Sequence, residues 1–238
     1  MLTVEGLVKK YNKQNAVNNI TFSLDGGEVV GLLGPNGAGK STTMKCIVGL
    51  LRKTAGEISI GGNDHLSVEA KKLFSYIPET PHVYDLLTVK EHLQFIAQAY
   101  SVKNWQEKAG ELMEVYELDD KQDKLGRDLS KGMRQKVSIC CALLPDPQLL
   151  FFDEPMIGLD PKAIKNTKRI FNELKAKGKT ILVSTHLIDS VETIADRIMI
   201  MKDGNIIGND TLANLKSTFS KDNDSSLEDL FLELTKDE

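Results

Sequence analysis

Long hydrophobic runs are missing from this sequence of 238 residues. A helix that crosses a bilayer needs about 20 mostly apolar residues, whereas the longest apolar stretches here, such as Leu149 to Phe152, have the length of a strand. The start of the chain, Met1 to Leu7, also lacks the basic region and apolar core of a signal peptide. We therefore expect a cytoplasmic chain that reaches any membrane from its inner face.

Cysteine is scarce, and the charges show no excess of positive sign. The three cysteines, Cys46, Cys140 and Cys141, are odd in number and two are adjacent, which argues against a disulfide framework. The formal net charge is -4, whereas proteins that bind nucleic acid generally carry a basic surface for the phosphates. These two features favour a reducing compartment and argue against nucleic acid as the partner.

The hydrophobic pattern predicts an α/β fold. The run Val29 to Leu33 is apolar without alternation, which is typical of a parallel strand covered by helices on both faces. Short strands with turn residues fill much of Leu2 to Ile60, which predicts an antiparallel β subdomain in this part of the chain. Further strands, mostly separated by helical patterns, are predicted at 75–77, 149–152, 180–183 and 197–201.

A helical insertion interrupts this pattern. Thr88 and Glu91 have the spacing of a capping box and precede apolar residues at helical spacing. Ser225 and Glu228 predict the same for a tail helix with one apolar face. We predict a single domain made of a core with the β subdomain (1–87 and 145–215), a helical subdomain (88–144) and a tail helix (216–238).

A glycine-rich loop follows the Val29–Leu33 strand and leads into a helix with apolar periodicity. Glycines let backbone N–H groups turn inward around phosphates, and the start of the helix adds partial positive charge. In such a loop the lysine reaches the β- and γ-phosphates, and the hydroxyl residue after it is a ligand of Mg²⁺. The sequence therefore predicts nucleotide binding by Gly34, Pro35, Asn36, Gly37, Ala38, Gly39, Lys40, Ser41 and Thr42.

Two carboxylates end the apolar strand Leu149 to Phe152. Ligands bind at the carboxyl edge of open α/β sheets, and Asp153 is predicted to lie at that edge, where it suits the Mg²⁺ shell. Hydrolysis of a nucleotide also needs a group that positions or deprotonates water, and we assign this role to Glu154. By itself an Asp-Glu pair after a strand is more often a solvated turn. Together with a phosphate loop, a catalytic role is the favoured interpretation.

A third motif, Leu129-Ser130-Lys131-Gly132-Met133, lies shortly before the Asp153 strand. By itself Ser130 is an ordinary N-cap of a helix. Because it follows the phosphate loop and precedes the Asp153 strand, the motif resembles the signature sequence of the ATP-binding-cassette (ABC) ATPases. The resemblance implies that the free amides and the hydroxyl of the motif complete the ATP site of the opposite subunit. Ser130, Gly132 and Met133 would then contact ATP across a dimer.

The resemblance implies roles for further residues. Tyr11 is similar to the aromatic residue that stacks on adenine, and Val17 to an apolar residue that supports it. The loop Ile157 to Asp160 resembles the one that couples the two sites of a dimer, and Asp160 is also placed to cap the next helix. His186 resembles the switch histidine that contacts the γ-phosphate.

Two residues depart from the family pattern. Glu79 stands where the family most often has glutamine, and Met133 where the signature most often ends in glutamine. A carboxylate at Glu79 still offers oxygen to Mg²⁺ but adds negative charge near the γ-phosphate. The segments Tyr76 to Pro81 and Ser226 to Phe231 are similar to those of bacterial drug and peptide exporter ATPases, in particular the Ecs-type.

The resemblance covers the whole chain and implies an ATPase that requires ATP and Mg²⁺ and drives an ABC exporter. Its expected partners are a separate polytopic membrane subunit and a second ATPase subunit, identical or different, that joins it on ATP binding. Two alternatives stay open. One is a cassette ATPase acting on ribosomes or DNA, which usually has two cassettes or a coiled-coil insertion. The other is a regulatory module without turnover, suggested by Glu79 and Met133.

Overall fold

The computed structural model describes residues 1–185, 188–219 and 227–235. Their strands are β1 (Leu2–Tyr11), β2 (Gln14–Leu24), β3 (Val29–Leu33), β4 (Ala55–Ile60), β5 (Asn63–Asp64), β6 (Phe74–Ile77), β7 (Leu149–Asp153), β8 (Thr180–Ser184), β9 (Arg197–Lys202) and β10 (Asn205–Asp210). Their α-helices are α1 (Lys40–Ile47), α2 (Val68–Lys71), α3 (Val89–Ala99), α4 (Trp105–Val115), α5 (Lys131–Leu143), α6 (Pro161–Ala176), α7 (Ile188–Glu192), α8 (Leu212–Phe219) and α9 (Leu227–Thr235).

A six-stranded sheet in the order β10-β9-β3-β8-β7-β6 forms the centre of the fold. Strand β3 pairs in parallel with β8 and β9, β7 pairs in parallel with β8, and β6 pairs in parallel with β7. Strand β10 is antiparallel to β9. The predicted, mainly parallel α/β sheet is confirmed, and the carboxyl ends of β3, β6, β7 and β8 meet at one edge.

The amino-terminal part of the chain forms a second sheet, which has four strands in the order β2-β1-β4-β5 and is antiparallel. Leu2 and Val4 of β1 are fully buried, whereas Thr3 between them is exposed. This alternation buries one face of the sheet against α1 and the main sheet. The predicted antiparallel β subdomain is confirmed.

Helices α3, α4 and α5 pack in one core cluster with β6, β7 and α6. The Oγ1 of Thr88 accepts a hydrogen bond from the Glu91 N–H at 3.2 Å, and a Glu91 carboxylate oxygen accepts one from the Thr88 N–H at 2.7 Å. The predicted capping box is therefore present at the start of α3. In the same cluster the rings of Phe152 and Phe171 lie 4.5 Å apart and attach α6 to the sheet.

The carboxyl-terminal part departs from the sequence analysis. Strand β10 and helix α8 are not predicted by it, whereas the tail helix appears as α9. Leu227 of α9 is fully buried in a small cluster around β9, α7 and α8, with Phe231 and Leu234 packed against it. The expected cap at Ser225 lies outside the described residues. None of the helices within the described ranges has the length and apolarity that a membrane span requires.

Candidate functional site

A cavity of about 600 Å³ lies at the carboxyl edge of β3 and β7. We call it the P-loop cavity, and it is lined by Ala16, residues 34–42, Glu79, Glu154, Ile157 and Phe231. Its volume falls within the roughly 300–1,000 Å³ of small-molecule sites. The topology therefore gathers the glycine loop and two of the predicted acidic residues around one space.

The glycine loop runs from the end of β3 to the start of α1. Gly39 has φ 104°, and a Cβ there would lie 2.5 Å from the backbone oxygen of Ala16, so only glycine fits. Because Gly39 is the N-cap of α1, no side chain caps the first amides of this helix. Those N–H groups and the positive end of the helix dipole form an anion site.

Lys40 is buried at the floor of the cavity. Its ammonium donates hydrogen bonds to the backbone oxygens of Gly34 at 2.6 Å and Pro35 at 3.2 Å. Burial lowers the pKa of Lys40 below its ordinary value, and the carboxylates of Glu154, Asp153 and Glu79 oppose this effect. The lysine thus folds back onto its own loop, close to the space where phosphates would bind.

Asp153 is completely buried behind the cavity wall. Its Oδ1 accepts hydrogen bonds from the hydroxyls of Ser41 at 2.9 Å and Ser184 at 2.6 Å. Its Oδ2 accepts one from the hydroxyl of Tyr76 at 3.1 Å. Helix α1 and strands β8 and β6 therefore each send a hydroxyl to this carboxylate.

The oxygens present fit a magnesium ion. The Ser41 hydroxyl lines the P-loop cavity and touches the Asp153 carboxylate, and Glu79 lines the same space. Mg²⁺ prefers oxygen ligands and is usually held by one or two protein groups together with substrate phosphates. Ser41 and Asp153 are the residues that would hold it, and Glu79 is a further oxygen donor in the lining of the cavity.

Glu154 lines the cavity directly after β7 and is 7% exposed. Its backbone lies in the left-handed region with φ 50°, which is uncommon for a residue with a side chain. The N–H of Glu154 donates to the backbone oxygen of Ser184 at 3.0 Å, which ties this strained turn to β8. Such strain persists when the surrounding structure enforces it, and it is concentrated at functional sites.

The two residues predicted beside adenine have different positions. Tyr11 is 47% exposed and lines a neighbouring recess of about 220 Å³ that shares Ala16 and Gly37 with the P-loop cavity. Val17 is fully buried in the core. The register of β2 shifts between Ile20 and Val17, where Asn19 has φ 53°, so that Val17 faces the core and its neighbour Ala16 lines the cavity. The role of Val17 as an apolar support beside adenine stays a prediction.

The signature residues lie outside the P-loop cavity of their own chain. Ser130 is exposed and caps α5 by accepting a hydrogen bond from the Met133 N–H at 3.2 Å. A Cβ on Gly132 would come within 2.6 Å of the Gly158 backbone oxygen. The start of α5 and the loop 157–160 are thus in close contact, and the absence of a side chain at Gly132 permits this.

Asp160 has the capping role that the sequence predicted. Its Oδ1 accepts a hydrogen bond from the Ala163 N–H at 2.8 Å at the start of α6, where Pro161 is the first helical residue. Its Oδ2 lies 2.8 Å from the ammonium of Lys136 on α5, whose side chain is only 11% exposed. The hydrogen bonds from Lys136 and the Ala163 N–H lower the pKa of Asp160.

Four residues near the cavity have no role in the sequence analysis. Tyr76 and Ser184 hydrogen-bond Asp153, and Ala16 and Phe231 line the P-loop cavity. Ser184 directly follows a predicted strand, so its position was a usable signal, whereas Phe231 comes from a distant helix. His186 lies outside the described residues, so its contact with a γ-phosphate stays a prediction.

The fold and this site define a P-loop NTPase, because a glycine loop joins a central parallel strand to a helix beside an acidic strand end. A family model described as "ABC transporter" matches residues 17–157. The chain belongs to the ABC transporter family, as an ATP-binding protein.

Similar relatives are ATP-binding proteins named for transport systems. The ABC-type transporter ATP-binding protein EcsA of Bacillus subtilis is 37% identical, with 100% of this chain and 98% of that protein covered. The SkfA peptide export ATP-binding protein SkfE of the same bacterium is 36% identical, with 87% of each chain covered. The lipopolysaccharide export system ATP-binding protein LptB of Haemophilus influenzae is 34% identical, with 89% and 90% covered.

Solved structures show the same fold. An ATP-binding subunit of an ABC transporter superposes with a TM-score of 0.94 at 40% identity, and the match covers 99% of this chain and 100% of that one. The ATP-binding cassette MJ0796, solved as a dimer in a post-hydrolysis state with ADP and Pi, superposes with a TM-score of 0.82 at 26% identity, covering 89% and 99%.

Replacing Asp160 with Asn tests the ion pair with Lys136 while it preserves an oxygen for the helix cap. We expect a loss of about 0.5 kcal/mol in the free energy of unfolding at pH 7, because the pair is partly exposed. The folded state lowers the pKa of Asp160, so its charge stabilises the fold above the unfolded pKa of about 3.9 and stops doing so as pH falls through the folded value. Urea unfolding at pH 7, 5 and 3 measures the difference, and a pH-independent difference would contradict this account.

Proposed function

We propose that this chain is the ATP-hydrolysing subunit of an ABC exporter, which drives a separate membrane subunit by ATP-dependent dimer closure. The observation that carries the proposal is the division of the site. The phosphate loop, Glu154 and the Ser41–Asp153 pair surround one cavity, whereas Ser130 lies on another surface of the same chain. An active site that needs both sets of residues requires two chains.

Within the cavity we assign a role to each residue by its position. The backbone N–H groups of residues 34 and 36–42 hold the phosphates, and Lys40 leaves the carbonyls of Gly34 and Pro35 to bind phosphate oxygens instead. Ser41 and Asp153 would hold Mg²⁺, which when bound would supply positive charge beside the phosphates, and Glu79 lines the same cavity. Tyr11 stacks on adenine in its recess. His186 lies outside the described residues, and its proposed contact with the γ-phosphate comes from the resemblance alone.

Glu154 is the group that we propose acts on water. Its side chain lines the cavity and is nearly buried, while the N–H bond to Ser184 fixes the turn that carries it. A carboxylate at this position accepts a proton from a water molecule that attacks the γ-phosphate. The left-handed backbone of Glu154 turns the chain away from β7, so that the neighbouring carboxylates of Asp153 and Glu154 have separate surroundings.

The contacts of the signature helix support communication between two such sites. Gly132 packs against Gly158, and Lys136 bonds Asp160, so these contacts join the start of α5 and the loop before α6 into one unit. Ile157 in that loop also lines the P-loop cavity. In a head-to-tail dimer this unit would place Ser130, Gly132 and Met133 beside the ATP of the partner. Asp160 would then couple the two ATP sites.

Mixing two inactive variants tests whether the signature acts across a dimer. Lys40→Ala removes the phosphate-binding ammonium, and Ser130→Arg blocks the signature, so each variant alone should have almost no ATPase activity. A random mixture should regain roughly a quarter of the wild-type rate, since half of the dimers are mixed and each has one intact site. Phosphate release measures the rate, and no recovery in a mixture that still dimerises would contradict a site shared between chains.

Replacing Glu154 with Gln tests hydrolysis and dimer closure together. The amide cannot take a proton from water, so we expect phosphate release to fall by roughly 100-fold or more while ATP still binds. Closure without hydrolysis should then give a dimer with ATP and Mg²⁺ in light scattering coupled to gel filtration. Glu111→Gln, at an exposed position of α4, is the matched control and should behave as wild type. A variant that keeps its hydrolysis rate would remove Glu154 from this role.

A second cavity supports the membrane partner. We call it the side groove; it measures about 550 Å³ between the helices α3 and α5 and the end of β6, and its lining includes Leu50, Tyr76, Pro78, Glu79, Val83, Tyr84, Phe95, Ile96, Tyr100 and Cys141. Several of these are large apolar side chains exposed to solvent, among them Leu50 at 64% and Tyr84 at 58%. An exposed apolar surface of this kind marks an interaction site. Glu79 lines both cavities, so a segment of the membrane subunit in the groove would contact a residue of the ATP site.

The direction of transport and the subdomain limits belong to the same proposal. SkfE and LptB are named for export of a peptide and of lipopolysaccharide, and this supports export here. The core (1–87 and 145–215) binds ATP, the helical subdomain (88–144) carries the signature and one wall of the groove, and the tail (216–238) follows. The chain would work on the cytoplasmic face of the membrane.

Replacing Phe95 with Asp tests the side groove as the docking surface. Phe95 is 47% exposed in the groove, and a charge there opposes burial against an apolar partner segment. We expect the membrane-bound fraction after cell fractionation to fall about tenfold, which corresponds to 1.4 kcal/mol. Val68→Asp, which changes a 61% exposed residue outside the groove lining, is the matched control. Equal membrane association of both variants would exclude docking in this groove.

A further inference from the structure

One side chain, Tyr76, reaches the carboxylate that we propose holds the metal. Tyr76 lies opposite Phe151 in the parallel pairing of β6 and β7. Side chains alternate along a strand, so Tyr76, Phe151 and Asp153 share one face of the sheet. The phenolic hydroxyl extends diagonally across this face and donates to the Oδ2 of Asp153 at 3.1 Å.

The two oxygens of Asp153 have different donors. Oδ1 accepts hydrogen bonds from the hydroxyls of Ser41 and Ser184, whereas Oδ2 accepts one from Tyr76. Asp153 has no exposed surface, so water is a poor substitute for a donor that is removed. The Tyr76 bond therefore sets the rotation of the carboxylate about its terminal bond, and with it the direction in which Oδ1 points.

The tyrosine is well suited to hold this position. Its ring packs against the core cluster that contains Phe74 and Phe151, and one part of it forms the wall of the side groove. An ordinary phenol is protonated at neutral pH, so this hydroxyl can donate to Asp153. A ring locked by packing with a permanent donor at its tip is the support that a metal-binding carboxylate requires.

We propose that Tyr76 is a positioning residue for the metal site: its hydroxyl orients Asp153 so that the carboxylate presents Oδ1 toward Ser41 and the bound cation. The inference rests on the proposed function, because it assumes that Ser41 and Asp153 hold Mg²⁺. Tyr76 acts through Asp153 and is not part of the lining of the P-loop cavity. This separates it from Glu79, which lines the P-loop cavity directly.

The test removes only the hydroxyl. Tyr76→Phe keeps the ring and its packing, and Mn²⁺ replaces Mg²⁺ as a probe because its electron paramagnetic resonance signal reports free and bound ion. With a non-hydrolysable ATP analogue present, we expect the Kd for Mn²⁺ to rise about tenfold, as for loss of a group that orients a metal ligand. Binding of the analogue without metal should not change.

A second tyrosine provides the matched control. The Tyr116 hydroxyl is buried at the end of α4 and bonds the Thr167 hydroxyl at 3.2 Å, away from the P-loop cavity. Tyr116→Phe therefore loses a comparable buried hydrogen bond and should keep the wild-type Kd for Mn²⁺. Thermal unfolding of both variants shows whether each remains folded at the temperature of the measurement.

The possible outcomes separate the two proposals. A folded Tyr76→Phe protein with the wild-type Kd for Mn²⁺ would overturn the positioning role and leave the proposed function standing. An equal loss of affinity in both variants would also overturn it, because the effect would then follow from any lost buried hydroxyl. A wild-type protein that binds neither the analogue nor Mn²⁺ would instead overturn the proposed function.

Discussion

A buried charge at the end of β7 organises this molecule. The Asp153 carboxylate has no contact with solvent, and burying a charge is costly unless hydrogen-bond donors surround it. Its donors come from three separate elements: Ser41 at the start of α1, Ser184 at the end of β8, and Tyr76 on β6. The same bonds that solvate the charge therefore hold the glycine loop and two strand ends at the distances that a nucleotide site needs.

The P-loop cavity and the side groove lie next to each other and share a wall. Glu79 lines both spaces, and Tyr76 belongs to the groove while its hydroxyl meets Asp153. Packed interiors transmit small displacements because they have little free volume. A partner segment that presses on the groove would therefore act on groups that already touch the ATP site, and no long pathway through the core is needed.

A few contacts also hold the half of the proposed site that contains the signature residues. The N-cap of α5 leaves Ser130 exposed, while Gly132 and Lys136 on the same helix attach to the loop 157–160. Asp160 in turn caps α6, which Phe171 anchors to the sheet through Phe152. A force on the signature would thus reach α6 and the sheet, which is the mechanical connection that the proposed dimer closure requires.

The sequence by itself determined the parts that depend on local patterns. The apolar run of β3, the glycine loop, the capping box at Thr88 and the cap at Asp160 all follow from neighbouring residues, and so does the α/β class. Only the tertiary structure decided which side chains meet across strands. The hydroxyl of Tyr76 reaches Asp153, 77 positions further along the chain, and Ala16 lines the cavity while Val17 is buried. The first outcome depends on the pairing of β6 with β7, and the second on the register shift within β2. Neither leaves a periodic signal in one sequence.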